Sequence, residues 1–160
     1  MASLLRTDEE IMDIYNRQVD TVYRVCFSFM KTRTDTEDMV QETFLRLMSS
    51  GTEFQSEKHE KAWLIVTASN LCKDALRRAW RKHTSIDDLP EIPQDGPEWN
   101  PVLEAILALP ADQKTAVYMY YYEGYSSAEI AKAMRCRQGT IRSRLSRARQ
   151  ALKKDLGGDA

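Results

Sequence analysis

The sequence predicts an all-α protein of two small helical domains joined by a flexible proline-rich linker. Three observations carry that prediction. Apolar residues recur at helical spacing in both halves of the chain, and no pair of strand-like runs appears. Four of the five prolines lie between Thr84 and Pro101, in TSIDDLPEIPQDGPEWNP, a stretch without helical periodicity. Charge is segregated behind a net of −1: residues 1–80 hold 11 basic and 13 acidic side chains, 81–101 hold 2 and 5, and 102–160 hold 10 and 6. The expected domains are 1–83 and 102–160, with the linker at 84–101. Proline lacks a backbone donor and drives its predecessor towards extended geometry, and 18 extended residues span roughly 60 Å.

The helices follow in order. Thr7 and Glu10 form a capping box before an apolar stripe at Ile11, Tyr15, Val22, Cys26 and Phe29. A second helix is expected from about Asp35 to Ser49, and a third from about His59 to Lys82. Asn100 and Pro101 are an N-cap and first-turn proline. Pro110 and Gly124 bracket another helix. Ser126 and Glu129 make a second capping box, and a last helix is expected from about Gly139 to Leu156, stopped by Gly157 and Gly158.

Composition excludes several function classes. With 42% hydrophobic and 29% charged residues the 160-residue chain is expected to fold as a globular protein. No run approaches the roughly 18 apolar residues of a membrane helix, so no membrane insertion is expected. Met1 to Asp13 reads as no secretory signal, and the cytoplasm is the expected location. Cys26, Cys72 and Cys136 are odd in number and far apart, which argues against a disulfide framework. With His59 and His83 beside them, a metal site is not expected. Neither a G-x-G-x-x-G nor a Walker spacing occurs, and no catalytic triad is visible. No cofactor is expected, and the chain does not read as an enzyme.

Two helices have unlike faces. At 100° per residue, Val40, Phe44 and Leu47 form the core side of the second helix, while Asp38, Gln41, Glu42 and Leu45 share the other. A solvated face normally mixes in lysine or arginine at i+4. Two carboxylates, an amide and a leucine together read as a docking surface for a basic partner; the alternative is a plain solvent face. On the third helix Leu64, Ala68, Leu71, Ala75 and Ala79 read as core. Val66, Asn70, Lys73, Arg77 and Trp80 lie opposite, with Arg81 beside them. Basic groups neutralise phosphates, an amide can bond a base edge, and an indole can stack on an unpaired base. Packing remains the alternative for Trp63 and Trp80.

The stretch from Tyr125 to Lys154 reads as a helix-turn-helix. A short capped helix carries Ile130, Ala131 and Met134, and Arg135-Cys136-Arg137 is a tight connection. The next helix buries Ile141, Leu145, Ala148 and Leu152 at 4-3-4 spacing. In this motif the second helix enters the major groove. Its other side presents Arg142, Ser143, Ser146, Arg147, Gln150 and Lys154. Gln138, Gly139 and Thr140 at its start can bring backbone N–H groups onto a phosphate. Arg135 to Lys154 holds eight basic residues and no acid.

These residues resemble a known family. DTEDMVQETFLRLM (35–48) and KAWLIVTASNLCKDALRR (61–78) resemble region 2 of bacterial sigma-70 family factors. LPADQKTAVYMYYYEGYSSAEIAKAMRCRQGTIRSRLSRAR (109–149) resembles region 4. The short linker leaves no room for region 3, so the layout is similar to the extracytoplasmic-function (ECF) group. The resemblance implies that Asp38, Gln41, Glu42 and Leu45 grip the β′ clamp helices of core RNA polymerase. It implies that the loop 51–61, with Asn70, Lys73, Arg77 and Trp80, opens and reads the minus-ten element of promoter DNA. It implies that Gln138, Thr140, Arg142, Ser143, Ser146 and Arg147 serve the minus-thirty-five element. Tyr118, Met119, Tyr121 and Tyr122 are candidates for a contact with the β flap, or for core. The family usually has glycine at Arg135 and often proline at Arg137, so Arg135 is expected to take left-handed geometry at some cost. An anti-sigma factor is the expected regulator. A sigma mimic that binds only the anti-sigma factor, and a helix-turn-helix repressor with a helical sensing domain, are the rivals.

Overall fold

The computed structural model describes residues 5–81 and 101–155. They form seven α-helices and one π-helical turn, with no strand among the described residues. The chain divides into two compact units, Met1–Pro97 and Glu98–Ala160. The expected linker lies outside the described residues, apart from Pro101 at the start of α4.

In the first unit α1 spans Asp8–Met30. Its capping box is complete: the Glu10 N–H donates to Thr7 Oγ1 at 3.1 Å, and the Thr7 N–H to Glu10 Oε1 at 2.8 Å. The buried face runs through Ile14, Gln18, Thr21, Val22, Val25, Cys26 and Phe29. Two residues of the expected stripe lie at its margin. Ile11 is half-buried and Tyr15 is exposed, although the Tyr15 ring meets Phe44 edge-on at 4.9 Å. Lys31 ends the helix in left-handed geometry, φ 70°.

The helix α2 spans Arg33–Ser49, starting two residues earlier than expected because Thr32 caps it, accepting from the Asp35 N–H at 3.3 Å. Val40, Phe44 and Leu47 are buried as expected, together with Thr36 and Thr43. Those two hydroxyls donate back to the Thr32 and Met39 carbonyls at 2.5 and 2.8 Å, which satisfies them without a partner helix.

The helix α3 spans Glu57–Arg81. Ala62, Leu64, Ile65, Ala68, Ser69 and Cys72 are buried, whereas Leu71, Ala75 and Ala79, expected as core, are half-buried. The inward face is therefore turned towards Ile65 and Cys72. Cys26 and Cys72 meet in this core. Its hydrogen bond with Cys72 and its burial push the Cys26 thiol well above the usual range.

A buried carboxylate ties α1 to the first turn of α3. Glu60 is 3% exposed. It accepts from Arg17 Nε at 2.9 Å, from Arg17 Nη2 at 2.7 Å and from Gln18 Nε2 at 2.7 Å. Burial alone raises its pKa, but the bonds from Arg17 and Gln18 outweigh burial and hold the carboxyl below the usual glutamate value.

In the second unit α4 spans Pro101–Leu107 and α5 spans Ala111–Val117. The latter widens into a π-helical turn, Tyr118–Tyr122, where the Glu123 N–H reaches the Tyr118 carbonyl at 3.1 Å. Gly124 follows at φ 82°, a conformation that suits a residue without Cβ. The helix α6 spans Ser127–Met134 behind the expected capping box. Arg135 then turns the chain with φ 55° and ψ 50°, the left-handed geometry expected of it. The last helix, α7, spans Gln138–Asp155. Ile141, Leu145 and Ala148 are buried, while Leu152, expected in the same stripe, is half-buried. The core of this unit also holds Leu103, Ile106, Val117, Tyr118, Met119 and Ile130, all buried.

Candidate functional site

On the first unit, Asp38, Gln41, Glu42 and Leu45 are all exposed on one side of α2. The physical cause is the opposed stripe of Val40, Phe44 and Leu47, which fixes the rotation of the helix. Asp38, Gln41 and Glu42 share an open cleft of about 460 Å³ with Met39 and with Leu71 and Arg78 of α3. Arg78 was not singled out as a partner of this face from the sequence. The half-buried position of Leu71 is also explained, because its side chain lines the cleft. Leu45 stands outside it, 48% exposed, as an apolar contact beside two carboxylates.

Several side chains of the loop between α2 and α3 bond within the loop itself. Ser50 Oγ accepts from the Thr52 N–H at 3.1 Å and donates to Thr52 Oγ1 at 2.9 Å. Further on, the Gln55 N–H donates to His59 Nδ1 at 3.1 Å, and the His59 N–H to Ser56 Oγ at 3.1 Å. The Phe54 ring lies 5.4 Å from His59 and 5.7 Å from Trp63, centroid to centroid. Trp63 is thus a half-buried member of the loop's aromatic cluster. Behind the loop the ion pair at Glu60 fixes the start of α3.

Along α3, Asn70 and Arg77 are exposed, whereas Val66 and Lys73 are half-buried. Arg77 Nη1 donates to Asp74 Oδ1 at 3.1 Å, with both side chains more than half exposed. Such an exposed pair is worth little. The side chain of Trp80 lies outside the described residues.

On α7 of the second unit Arg142, Ser143, Ser146 and Arg147 are exposed, and Thr140 is half-buried. Their common outward direction follows from the burial of Ile141, Leu145 and Ala148. Gln138 differs from the rest: its Nε2 donates to Ser127 Oγ at 2.9 Å, which docks the start of α7 on the start of α6. Arg147 Nη2 lies 3.7 Å from Asp112 Oδ2 of α5. Arg149 points elsewhere, donating from Nε to Tyr121 Oη at 2.9 Å. A Cβ on Gly139 would meet nothing within 4 Å, so packing within the protein does not require glycine there.

The tyrosine run divides at the π-helical turn. Tyr118 and Met119 are core, at 1% and 0% exposure, while Tyr120, Tyr121 and Tyr122 are exposed. Tyr118 Oη donates to Glu123 Oε2 at 2.6 Å. Among the described residues, no group of three or more His, Cys, Asp and Glu side chains is placed to hold a metal ion, and no helix is long and apolar enough to cross a membrane.

Comparison with known proteins places both units. Residues 14–82 match the family "Sigma-70 region 2", and residues 99–152 match "Sigma-70, region 4". The chain is 32% identical over 155 residues to the ECF RNA polymerase sigma factor SigE of Mycolicibacterium smegmatis, covering 88% of this chain and 59% of that relative's length. It is 32% identical over 144 residues to the ECF RNA polymerase sigma-E factor of Haemophilus influenzae, covering 78% of this chain and 76% of the relative. Among solved structures it is similar to the sigma factor RpoE of Bartonella quintana, in a co-crystal with the anti-sigma factor NepR. The TM-score is 0.75 at 24% identity, over 95% of this chain and 99% of that one. CnrH, solved with the cytosolic domain of CnrY, has a TM-score of 0.65 at 19% identity over 96% and 92%.

Proposed function

The chain belongs to the ECF group of the sigma-70 family, and from that membership we propose that it is the promoter-specificity subunit of a bacterial RNA polymerase. In this reading the first unit docks on the β′ clamp helices through Asp38, Gln41, Glu42 and Leu45. The expected strand-holding segment 51–61, which the structure divides into a loop over 51–56 and the first turn of α3 from Glu57, holds the unpaired strand of the minus-ten element together with Asn70, Lys73, Arg77 and Trp80. The second unit lays α7 in the major groove of the minus-thirty-five element, with Arg142, Ser143, Ser146 and Arg147 towards the bases and phosphates. Gln138 and Thr140 set the start of that helix. Exposed Tyr121 and Tyr122 are the β flap contact, and Tyr118 and Met119 support them from the core. The domain limits are 1–83 and 102–160. The chain performs no catalysis of its own, because bond formation belongs to the polymerase, and it works in the cytoplasm.

The observation that carries the reading is the acidic docking face on one unit and the basic helix-turn-helix on the other, in a single chain. A repressor has no use for the first. A mimic that binds only an anti-sigma factor has no use for the second. Control by an anti-sigma factor is part of the proposal, since both fold neighbours named above were solved with protein partners, one of them an anti-sigma factor. Run-off transcription with core polymerase on a library of promoter fragments is the test. The expected result is defined transcripts that depend on this chain; their absence, with an intact protein that binds duplex DNA, overturns the reading in favour of a repressor.

A further inference from the structure

The loop between α2 and α3 is gripped from a segment ahead of α1. The Arg6 guanidinium donates from Nη1 to the Ser50 carbonyl at 3.1 Å and from Nη2 to the Thr52 carbonyl. Its Cζ lies 4.6 Å from the centroid of the Phe54 ring. One side chain therefore fixes three points on the loop: two carbonyls and the aromatic ring between them and Trp63. The loop's own ties at Ser50, Thr52 and Gln55 run to side chains close by in sequence, whereas Arg6 reaches it from 44 residues away. Arg6 also lies outside the matched sigma-70 region 2, which begins at residue 14.

We propose that Arg6 is a positioning residue for the strand-holding loop: it sets the backbone path from Ser50 to Phe54 and so determines which base the loop accepts from the unpaired minus-ten strand. This rests on the reading of the loop given under Proposed function. The geometry asks for arginine. Two carbonyls two residues apart need two N–H groups diverging from one plane, and the same plane must lie over a phenyl ring. A guanidinium supplies both, whereas an ammonium supplies a point charge without the fork. Because the guanidinium is engaged with carbonyl oxygens, its role differs from that of a phosphate clamp. A clamp acts through charge alone, and lysine replaces it. A fork acts through the shape of the loop, and lysine does not.

The experiment uses the full chain with Arg6→Ala, Arg6→Lys, Phe54→Ala and Asn70→Ala variants. Hydrogen exchange of the free protein reads the loop. Arg6→Ala is expected to speed exchange over 50–56 by about tenfold while leaving the middle of α1 unchanged. Holoenzyme binding is then measured on fork-junction oligonucleotides carrying each of the four bases in turn at every unpaired position of a promoter it transcribes. Arg6→Ala is expected to flatten a preference of about tenfold at one position to about twofold, with core polymerase affinity unchanged, and Arg6→Lys is expected not to restore it. Two results overturn the proposal and leave the loop reading standing. In one, base preferences survive Arg6→Ala but are lost in Phe54→Ala or Asn70→Ala. In the other, Arg6→Ala weakens every oligonucleotide by one factor and Arg6→Lys restores binding, which makes Arg6 a phosphate clamp. If the preferences survive all the variants, the loop reading falls and the proposal falls with it.

Discussion

Replacing Glu60 by alanine tests the anchor on which the first unit hangs its loop. The variant removes two charge-assisted bonds from Arg17 and one from Gln18. The Arg17 side chain is 38% exposed and turns to water, so its loss is discounted. Gln18 is 2% exposed and has no such exit. Its Oε1 is already without a hydrogen-bond partner, and losing Glu60 orphans Nε2 as well, which costs about 1–3 kcal/mol. With the small cavity left behind, the expected destabilisation is about 2–4 kcal/mol. In a unit of this size that is roughly 10–25 °C in Tm. Glu60→Gln keeps an acceptor for Gln18 and is expected to cost about 1–2 kcal/mol. The pH dependence has a definite sign. The folded pKa is lowered, so the ionised carboxylate stabilises fully above the ordinary value of 4.5. That contribution fades as pH falls through the folded value. Urea unfolding of the full chain, followed by far-UV circular dichroism and tryptophan fluorescence between pH 3 and pH 7, is the assay. A loss below about 1 kcal/mol for Glu60→Ala at pH 7 refutes the reasoning. So does a gap between wild type and Glu60→Gln that fails to close in acid.

Other expectations follow from the surfaces and turns. Asp38→Lys combined with Glu42→Lys is expected to abolish binding to core polymerase in a pull-down with helicity unchanged, because like charges then face a basic partner. Arg142→Ala is expected to relax selectivity at one position of the minus-thirty-five element by roughly 1–3 kcal/mol. Lys153→Ala is expected to weaken all promoter variants alike and lower the salt slope; binding to single-base variants at two salt concentrations separates the two. Arg135→Gly is expected to stabilise the second unit by about 0.5–1 kcal/mol in thermal unfolding, by relieving a side chain held at positive φ. Gly139→Ala is expected to stabilise the same unit slightly, since its Cβ meets open space. It is also expected to weaken duplex binding if the helix start approaches a phosphate closely, and a mobility-shift assay reads that.

Much of the fold was legible because its signals are local. Both capping boxes, the stripe Val40, Phe44 and Leu47, and the left-handed turn at Arg135 follow from spacing and residue type within one turn. The start of α2 differs from the expected one because Thr32 caps it. On α3 the periodicity was right but the phase was not: alanines at 75 and 79 continue a stripe that the neighbouring helices do not cover. The polar anchors of the site were harder to read, because they are pairings across helices. Glu60 does stand one turn before Leu64 on the expected core stripe, and Gln18 stands between Ile14 and Val22. A polar residue in such a register asks for a buried partner. Which partner, and that Arg6 reaches across 44 residues to Ser50, is tertiary information. The division of the tyrosine run was unreadable for a different reason, since a π-helical turn shifts the register by one residue without a sequence mark.

That turn also bears on which length changes the second unit tolerates. A π turn carries one residue more than an α-helix of equal span. Removal of Tyr120 is expected to return the last turn of this helix to α geometry. The extra residue sits in the last turn of the helix, just ahead of the Gly124 turn, whereas a deletion in a helix interior rotates everything downstream by about 100°. What the deletion forfeits is the aim of Tyr121, whose hydroxyl then leaves Arg149. The wide turn thus leaves three tyrosines exposed beside a buried Tyr118 and Met119, and ties one of them, Tyr121, to Arg149 of α7.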